Sequence, residues 1–148
     1  MAFLLRRRSP HISRIGQLRE ALRAFINSCE GSRVLTVEPH YELWQMGFQS
    51  LAEIRKAVVE CSELFTFDKN VPIDIKTIVA RFRAEVEDLY KFRDSFTRFS
   101  KRRRFTSDAA IAKWCDFERA KHALSVLQTD FRSKKDELKA FLAKLDSY

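Results

Sequence analysis

Between positions 110 and 145 the chain sets an apolar residue at every seventh place: Ala110, Phe117, Leu124, Phe131, Leu138 and Leu145. Ala120, Leu127 and Phe141 fill companion places three residues on. On an α-helix this spacing draws one apolar stripe roughly 55 Å long, and a stripe of that length has to be covered. Lys113 and Lys134 interrupt the companion row. The pattern therefore predicts packing against the chain's own third helix or a neighbouring subunit, not a continuous coiled-coil dimer.

The preceding sequence repeats the theme. Ile12, Ile15, Leu18, Leu22, Phe25, Ile26 and Cys29 step by threes and fours, and Gly31 is placed to end that helix. Val34, Leu35 and Val37 in residues 32–38 read as a short extended connector. Pro39 suits the first turn of a second helix, where its missing N–H costs nothing. Trp44, Phe48, Leu51, Ile54, Val58, Cys61 and Phe65 form that helix's stripe, with Gly47 allowing close approach of another helix. Residues 66–72, with Asp68, Lys69, Asn70 and Pro72, are the clearest break. A third helix is expected over 73–99, with Ile75, Ile78, Val79, Phe82, Val86, Leu89, Phe92, Phe96 and Phe99 on one side. Residues 100–105 interrupt it; Thr106 or Ser107 can cap the last helix, and Asp108 suits the positive end of its dipole.

With only three Gly and three Pro in 148 residues, turns are scarce and segments long. The expectation is an all-α fold: a bundle of about four long amphipathic helices forming a single domain over residues 12–148, preceded by a basic N-terminal arm, residues 1–11. Thirteen phenylalanines at helical spacing belong mostly to its core. No apolar run approaches the 18 residues of a membrane span.

Twenty-eight Lys and Arg against 20 Asp and Glu leave a net charge of +8 and a pI near 9.7, which predicts an acidic partner. Residues 1–19 contain Arg6, Arg7, Arg8, Arg14 and Arg19, two serines and no Asp or Glu, interleaved with apolar residues. An arginine-rich, acid-free, potentially amphipathic start reads as a mitochondrial import signal; the bland reading is a solvated basic tail. Cys29, Cys61 and Cys115 are odd in number and far apart, which speaks against a disulfide framework or zinc site and for a reducing compartment.

Nothing in the sequence assembles a catalytic set. His11, His40 and His122 lie in different segments, and Cys115 and His122 are two helical turns apart, beyond direct hydrogen bonding. Glu60 with Glu63, and Glu85 with Asp88, sit at helical spacing among cations and read as solvated salt-bridge partners. The strongest electrostatic feature is Arg98, Lys101, Arg102, Arg103 and Arg104, bracketed by Phe99 and Phe105: a candidate contact for an acidic partner, with one or two of the charges serving a helix end.

Three stretches resemble the mitochondrial LYR-motif family of three-helix proteins, found as complex I accessory subunits and as assembly factors. Arg19-Glu20-Ala21-Leu22-Arg23-Ala24-Phe25 is similar to the part of that family's first helix following its Leu-Tyr-Arg; Ile54-Arg55-Lys56-Ala57 is similar to its second helix; Asn70-Val71-Pro72-Ile73-Asp74-Ile75 opens a third. Gln17 and Leu18 stand where the motif has Leu and Tyr, and a literal Leu89-Tyr90-Lys91 falls in the third helix instead. The likeness spans roughly residues 15–104, with the last helix an addition. It implies an acidic acyl carrier protein as partner, its acyl-pantetheine chain entering between the helices, with Arg19, Arg23 and Arg55 as contacts; no cofactor of the chain's own is implied.

The expected role is that of a non-catalytic accessory subunit of a mitochondrial multi-protein complex, respiratory chain or ATP synthase, in the matrix or on the matrix side of the inner membrane, and not an enzyme. Two alternatives are an RNA-binding mitochondrial ribosomal protein using Arg6 to Arg8 and Lys101 to Arg104 on phosphates, and a peripheral bundle whose N-terminal segment, with Phe3, Leu4 and Leu5, lies on an anionic membrane surface.

Overall fold

The computed structural model describes residues 13–38, 41–93 and 108–148. It is an all-α bundle of four long helices, α1 (Arg14–Glu30), α3 (Tyr41–Thr66), α4 (Ile73–Tyr90) and α5 (Asp108–Asp146), with a one-turn helix α2 (Arg33–Thr36) between the first two. Among the described residues there is no strand. The arm, Pro39 and the basic run Arg98 to Arg104 lie outside the described residues.

Neighbours run α1–α3–α4–α5 and back to α1, a closed ring in which α1 faces α4 and α3 faces α5 across the centre. The direction alternates. Arg14, at the start of α1, reaches the Leu64 carbonyl near the end of α3, and Arg55 and Arg83 pair α3 with α4 head to tail. Arg19 and Arg23 meet the last turn of α5. Sequence neighbours pair antiparallel here, since a helix can bury its stripe soonest against the segment just before it.

The stripes point where the spacing placed them. Leu18, Leu22, Phe25, Ile26 and Cys29 of α1, Leu51, Ile54, Val58, Cys61 and Phe65 of α3, and Ile75 through Leu89 of α4 are buried. The heptad row of α5 is buried from Phe117 to Leu145 against α1 and α4, so its partner is the chain itself. Phenylalanines span both diagonals. The rings of Phe25 and Phe82 meet edge to face with centroids 5.3 Å apart, and Phe82 continues to Phe131 at 6.3 Å. Phe65 and Phe141 close the other diagonal at 6.1 Å. Edge-to-face geometry brings the positive ring edge to the negative face, worth about 0.5–1.5 kcal/mol per pair beyond burial.

Two elements differ from the sequence reading. Residues 32–38 are not extended, because the Ser32 hydroxyl accepts from the Val34 N–H and starts α2. Val34 and Leu35 are thereby buried against α3 and α5. The Gln128 side chain of α5 donates to the carbonyls of Val34 (2.8 Å) and Val37 (3.0 Å), satisfying acceptors that a one-turn helix leaves open. The third long helix, expected over 73–99, is interrupted after Tyr90, and residues 94–99 lie outside the described residues. Lys91 and Phe92 bond back to Asp88 and Leu89 by tighter i−3 bonds, and Phe92 folds against the core. Gly31 ends α1 as expected, although not through left-handed backbone: its φ is −80°, and an added Cβ would lie 3.2 Å from the Asn27 carbonyl oxygen.

Replacing Phe82 with Ala should cost about 3–5 kcal/mol, because the ring touches phenylalanines of two other helices and the void cannot collapse from three sides. Phe82→Leu should retain most of that. Urea melts of the two variants check the order; equal losses would contradict a specific ring contact.

Candidate interaction surface

Charge decorates the seams between helices. At the α1–α5 seam, Arg19 Nη1 donates to the Leu145 carbonyl at 3.4 Å and its Nε lies 3.6 Å from Asp146 Oδ1. Arg23 Nη2 reaches the same oxygen at 2.7 Å. The last turn of α5 is the negative end of a 39-residue helix, so cations gather there. Lys139 and Glu30 pair across the same seam at 2.5 Å. At the α3–α4 seam, Arg55 Nε donates to Glu87 Oε1 at 2.5 Å, and its guanidinium lies 4.6 Å from the centre of the Tyr90 ring. The Glu87 hydrogen bond leads in raising the Arg55 pKa further above its ordinary value. Tyr90 in turn leans on Phe48.

The three arginines singled out by sequence thus fall on opposite sides of the ring, Arg19 and Arg23 on one seam and Arg55 on the other. All three make pairs within the chain while keeping a third to a half of their side-chain surface in water. Arg55 lines an open groove with Ala52, Lys56, Val59, Glu60, Arg83 and Glu87.

At the α4–α5 seam the sequence reading of Glu85 as a solvated salt-bridge partner is corrected. Its side chain is only 16% exposed and meets Asp130 of α5, with Arg81 4.0 Å from Glu85 and 3.5 Å from Asp130. One Glu85 oxygen is buried without a hydrogen-bond partner. Burial leads, followed by the Asp130 carboxyl, in pushing the Glu85 pKa up to about 8, while Arg81 pulls it back. Two carboxyls in a poorly hydrated seam share a proton more readily than they both ionise. Asp130 and Arg81 line a groove with Asp74, Thr77, Lys134 and Glu137. Spacing within one helix could not reveal this, because Asp130 is 45 residues away.

At the α3–α4 turn, Asp68 is almost fully buried. Its Oδ2 takes a 2.8 Å hydrogen bond from Arg14 Nε, and its Oδ1 accepts from the Asn70 N–H at 2.8 Å. Those bonds, Arg14 first, hold its carboxyl below the ordinary value. Around this braced turn the surface is apolar: Phe67 is 87% exposed and Ile73 77%, although the core is complete beneath them. Both fall outside the apolar stripes read from spacing, Phe67 in the 66–72 break and Ile73 before the first buried residue of α4, Ile75.

Cys29 and Cys61 are buried thiols, pushed by desolvation up to about 12, which keeps them protonated and unreactive; Cys115 is exposed. Among the described residues no group of three or more His, Cys, Asp or Glu is placed to hold a metal ion, and no helix is long and apolar enough to cross a membrane. Comparison of the chain with family models, curated proteins and solved structures gives no match.

The seam charges predict a pH profile. Asp68 has a lowered folded pKa, so its contribution is present above the ordinary carboxylate range and lost as pH falls through the folded value. Glu85 has a raised one, so its contribution is full below about 4.5 and lost as pH rises through about 8. The wild-type melting temperature should therefore fall between pH 5 and pH 9. Glu85→Gln should flatten that limb and melt a few degrees higher than wild type at pH 9, at about 2–4 °C per kcal/mol for a chain of this size. Thermal melts at both pH values decide; a flat wild-type profile would refute the shared proton.

Proposed function

We propose that this chain is a non-catalytic accessory subunit of a mitochondrial multi-protein complex, of the respiratory chain or ATP synthase, working as a rigid basic scaffold. The observation that carries the reading is how the bundle uses its ionisable groups. Arg19 and Arg23 with Asp146, Arg55 with Glu87, Arg81 with Asp130 and Lys139 with Glu30 each tie one helix to another, and Arg14 with Asp68 ties α1 to the α3–α4 turn. The half-exposed ones among them, Arg19 and Arg23 with Asp146, Arg55 with Glu87 and Lys139 with Glu30, add at most about 1 kcal/mol each, so they fix the register of the bundle more than they stabilise it. A fixed outer surface is what a subunit held between neighbours needs, and the surplus of eight positive charges favours acidic neighbours.

The mitochondrial address rests on the acid-free, arginine-rich residues that lead into α1. The resemblance to the LYR-motif family supplies the candidate partner, an acyl carrier protein. Arg19 and Arg23, and separately Arg55, would offer it guanidinium faces that their internal pairs leave in water.

Affinity capture of the tagged chain from isolated mitochondria should return a defined set of complex subunits, while a chain found only in cytosol would end the proposal. The carry-over of Arg23 separates from its bracing role by two variants. Arg23→Glu should weaken capture of an acyl carrier protein several-fold. Asp146→Asn, which breaks the brace and frees the cation, should leave capture intact or strengthen it; equal losses in both would make the arginine merely structural.

A further inference from the structure

We infer that the α4–α5 seam is a pH-sensitive joint: as the solution turns alkaline, this seam loosens locally while the other three seams of the ring stay closed. The four seams divide the charges unequally. At α1–α5, Arg19 and Arg23 meet Asp146 and Lys139 meets Glu30; at α3–α4, Arg55 meets Glu87 and Arg83 donates to the Ser62 hydroxyl. Between α1 and α3 the packing is apolar, and the buried thiols Cys29 and Cys61 of these helices are pushed up to about 12. Each of these contacts sets opposite charges or neutral groups together, so none of them gains repulsion from the loss of a carboxyl proton.

At α4–α5 acid is set against acid. The side chains of Glu85 and Asp130 are 16% and 20% exposed, less than any other paired carboxyl among the described residues except Asp68. One guanidinium serves both. Arg81 Nε lies 3.5 Å from Asp130 and 4.0 Å from Glu85, with 63% of its side chain in water, and one Glu85 oxygen is buried with no donor at all. Asp130 and Arg81 are the charged groups that act on Glu85 among the described residues. Asp74 of α4 and Lys134 and Glu137 of α5 line the groove beside them, but Lys134 is taken by Glu137 at 3.5 Å. A second negative charge in this seam therefore meets one shared cation, and burial keeps water from dispersing it. Burial first and Asp130 second push Glu85 up to about 8, so the protonated pair closes the seam below that pH and closure weakens as pH rises through it. The ring contact of Phe82 with Phe131 is the packing next to the pair, one turn before Glu85 on α4 and adjoining Asp130 on α5.

This joint goes beyond the assembly reading and does not depend on it. The test is amide hydrogen exchange of the full chain at pH 6 and pH 9, resolved along the sequence and divided by intrinsic rates. Between the two, protection over residues 78–89 and 124–135 should fall by about tenfold or more beyond any fall over 18–29 and 51–62, because a carboxyl held at a raised pKa favours the open seam above it. Glu85→Gln should keep the wild-type melting temperature at pH 6 and remove the difference. Asp130→Asn, which leaves Glu85 with Arg81 alone, should shrink it. Protection that is unchanged, or lost equally from all four long helices, would overturn the inference, and so would a selective loss that Glu85→Gln retains.

Discussion

The bundle depends on phenylalanine rings long enough to reach across it. Adjacent helices of a four-helix ring meet through any apolar side chains, but opposite helices do not, and here Phe25 with Phe82 and Phe65 with Phe141 bridge both diagonals. Phe131 then ties α5 into the first diagonal. Once the centre is filled by interlocked rings, the four helices lose the freedom to slide, because sliding would drive ring edges into ring edges. Everything outside the core inherits that register.

The ion pairs across the seams can be specific because the register is set. Arg55 finds both Glu87 and the Tyr90 ring, and Arg19 and Arg23 find the one carboxylate of Asp146, only if the helices are aligned to within about a residue. The same alignment imposes a cost at α4–α5, where it presses Glu85 and Asp130 together and leaves one oxygen without a partner. Burial and the neighbouring carboxyl push the Glu85 pKa up accordingly. The polar devices at the chain's turns follow the same logic: Gln128 closes the carbonyls of α2, and Asp68 ties the α3–α4 turn to α1. The second of these holds the turn beside the exposed Phe67 and Ile73.

Helix stripes were legible in the sequence because burial and helical period act on the same residues. The heptad row from Phe117 to Leu145, the stripe of α3 from Leu51 to Phe65 and the end of α1 at Gly31 all stand where spacing put them. The connector misread as extended shows the limit. Val34, Leu35 and Val37 carry strand-like side chains, yet a serine cap and contacts from two distant helices outweigh so short a preference. The interruption after Tyr90 escapes spacing for a related reason, since Phe92 keeps the apolar period where the hydrogen bonds tighten to i−3.

By itself the sequence determined an all-α bundle, its four long stripes, its basic balance and the identity of its α1 and α3 arginines, because each of these is a property of residue type and local spacing. Tertiary structure alone decided which helices are neighbours, that α5 spends its heptad face inside its own chain, that Arg19 and Arg23 share Asp146 while Arg55 sits on the opposite seam, and that Glu85 is buried against Asp130. It also decided that Phe67 and Ile73 face outward. Those outcomes depend on distances between residues tens of positions apart, and only packing sets such distances.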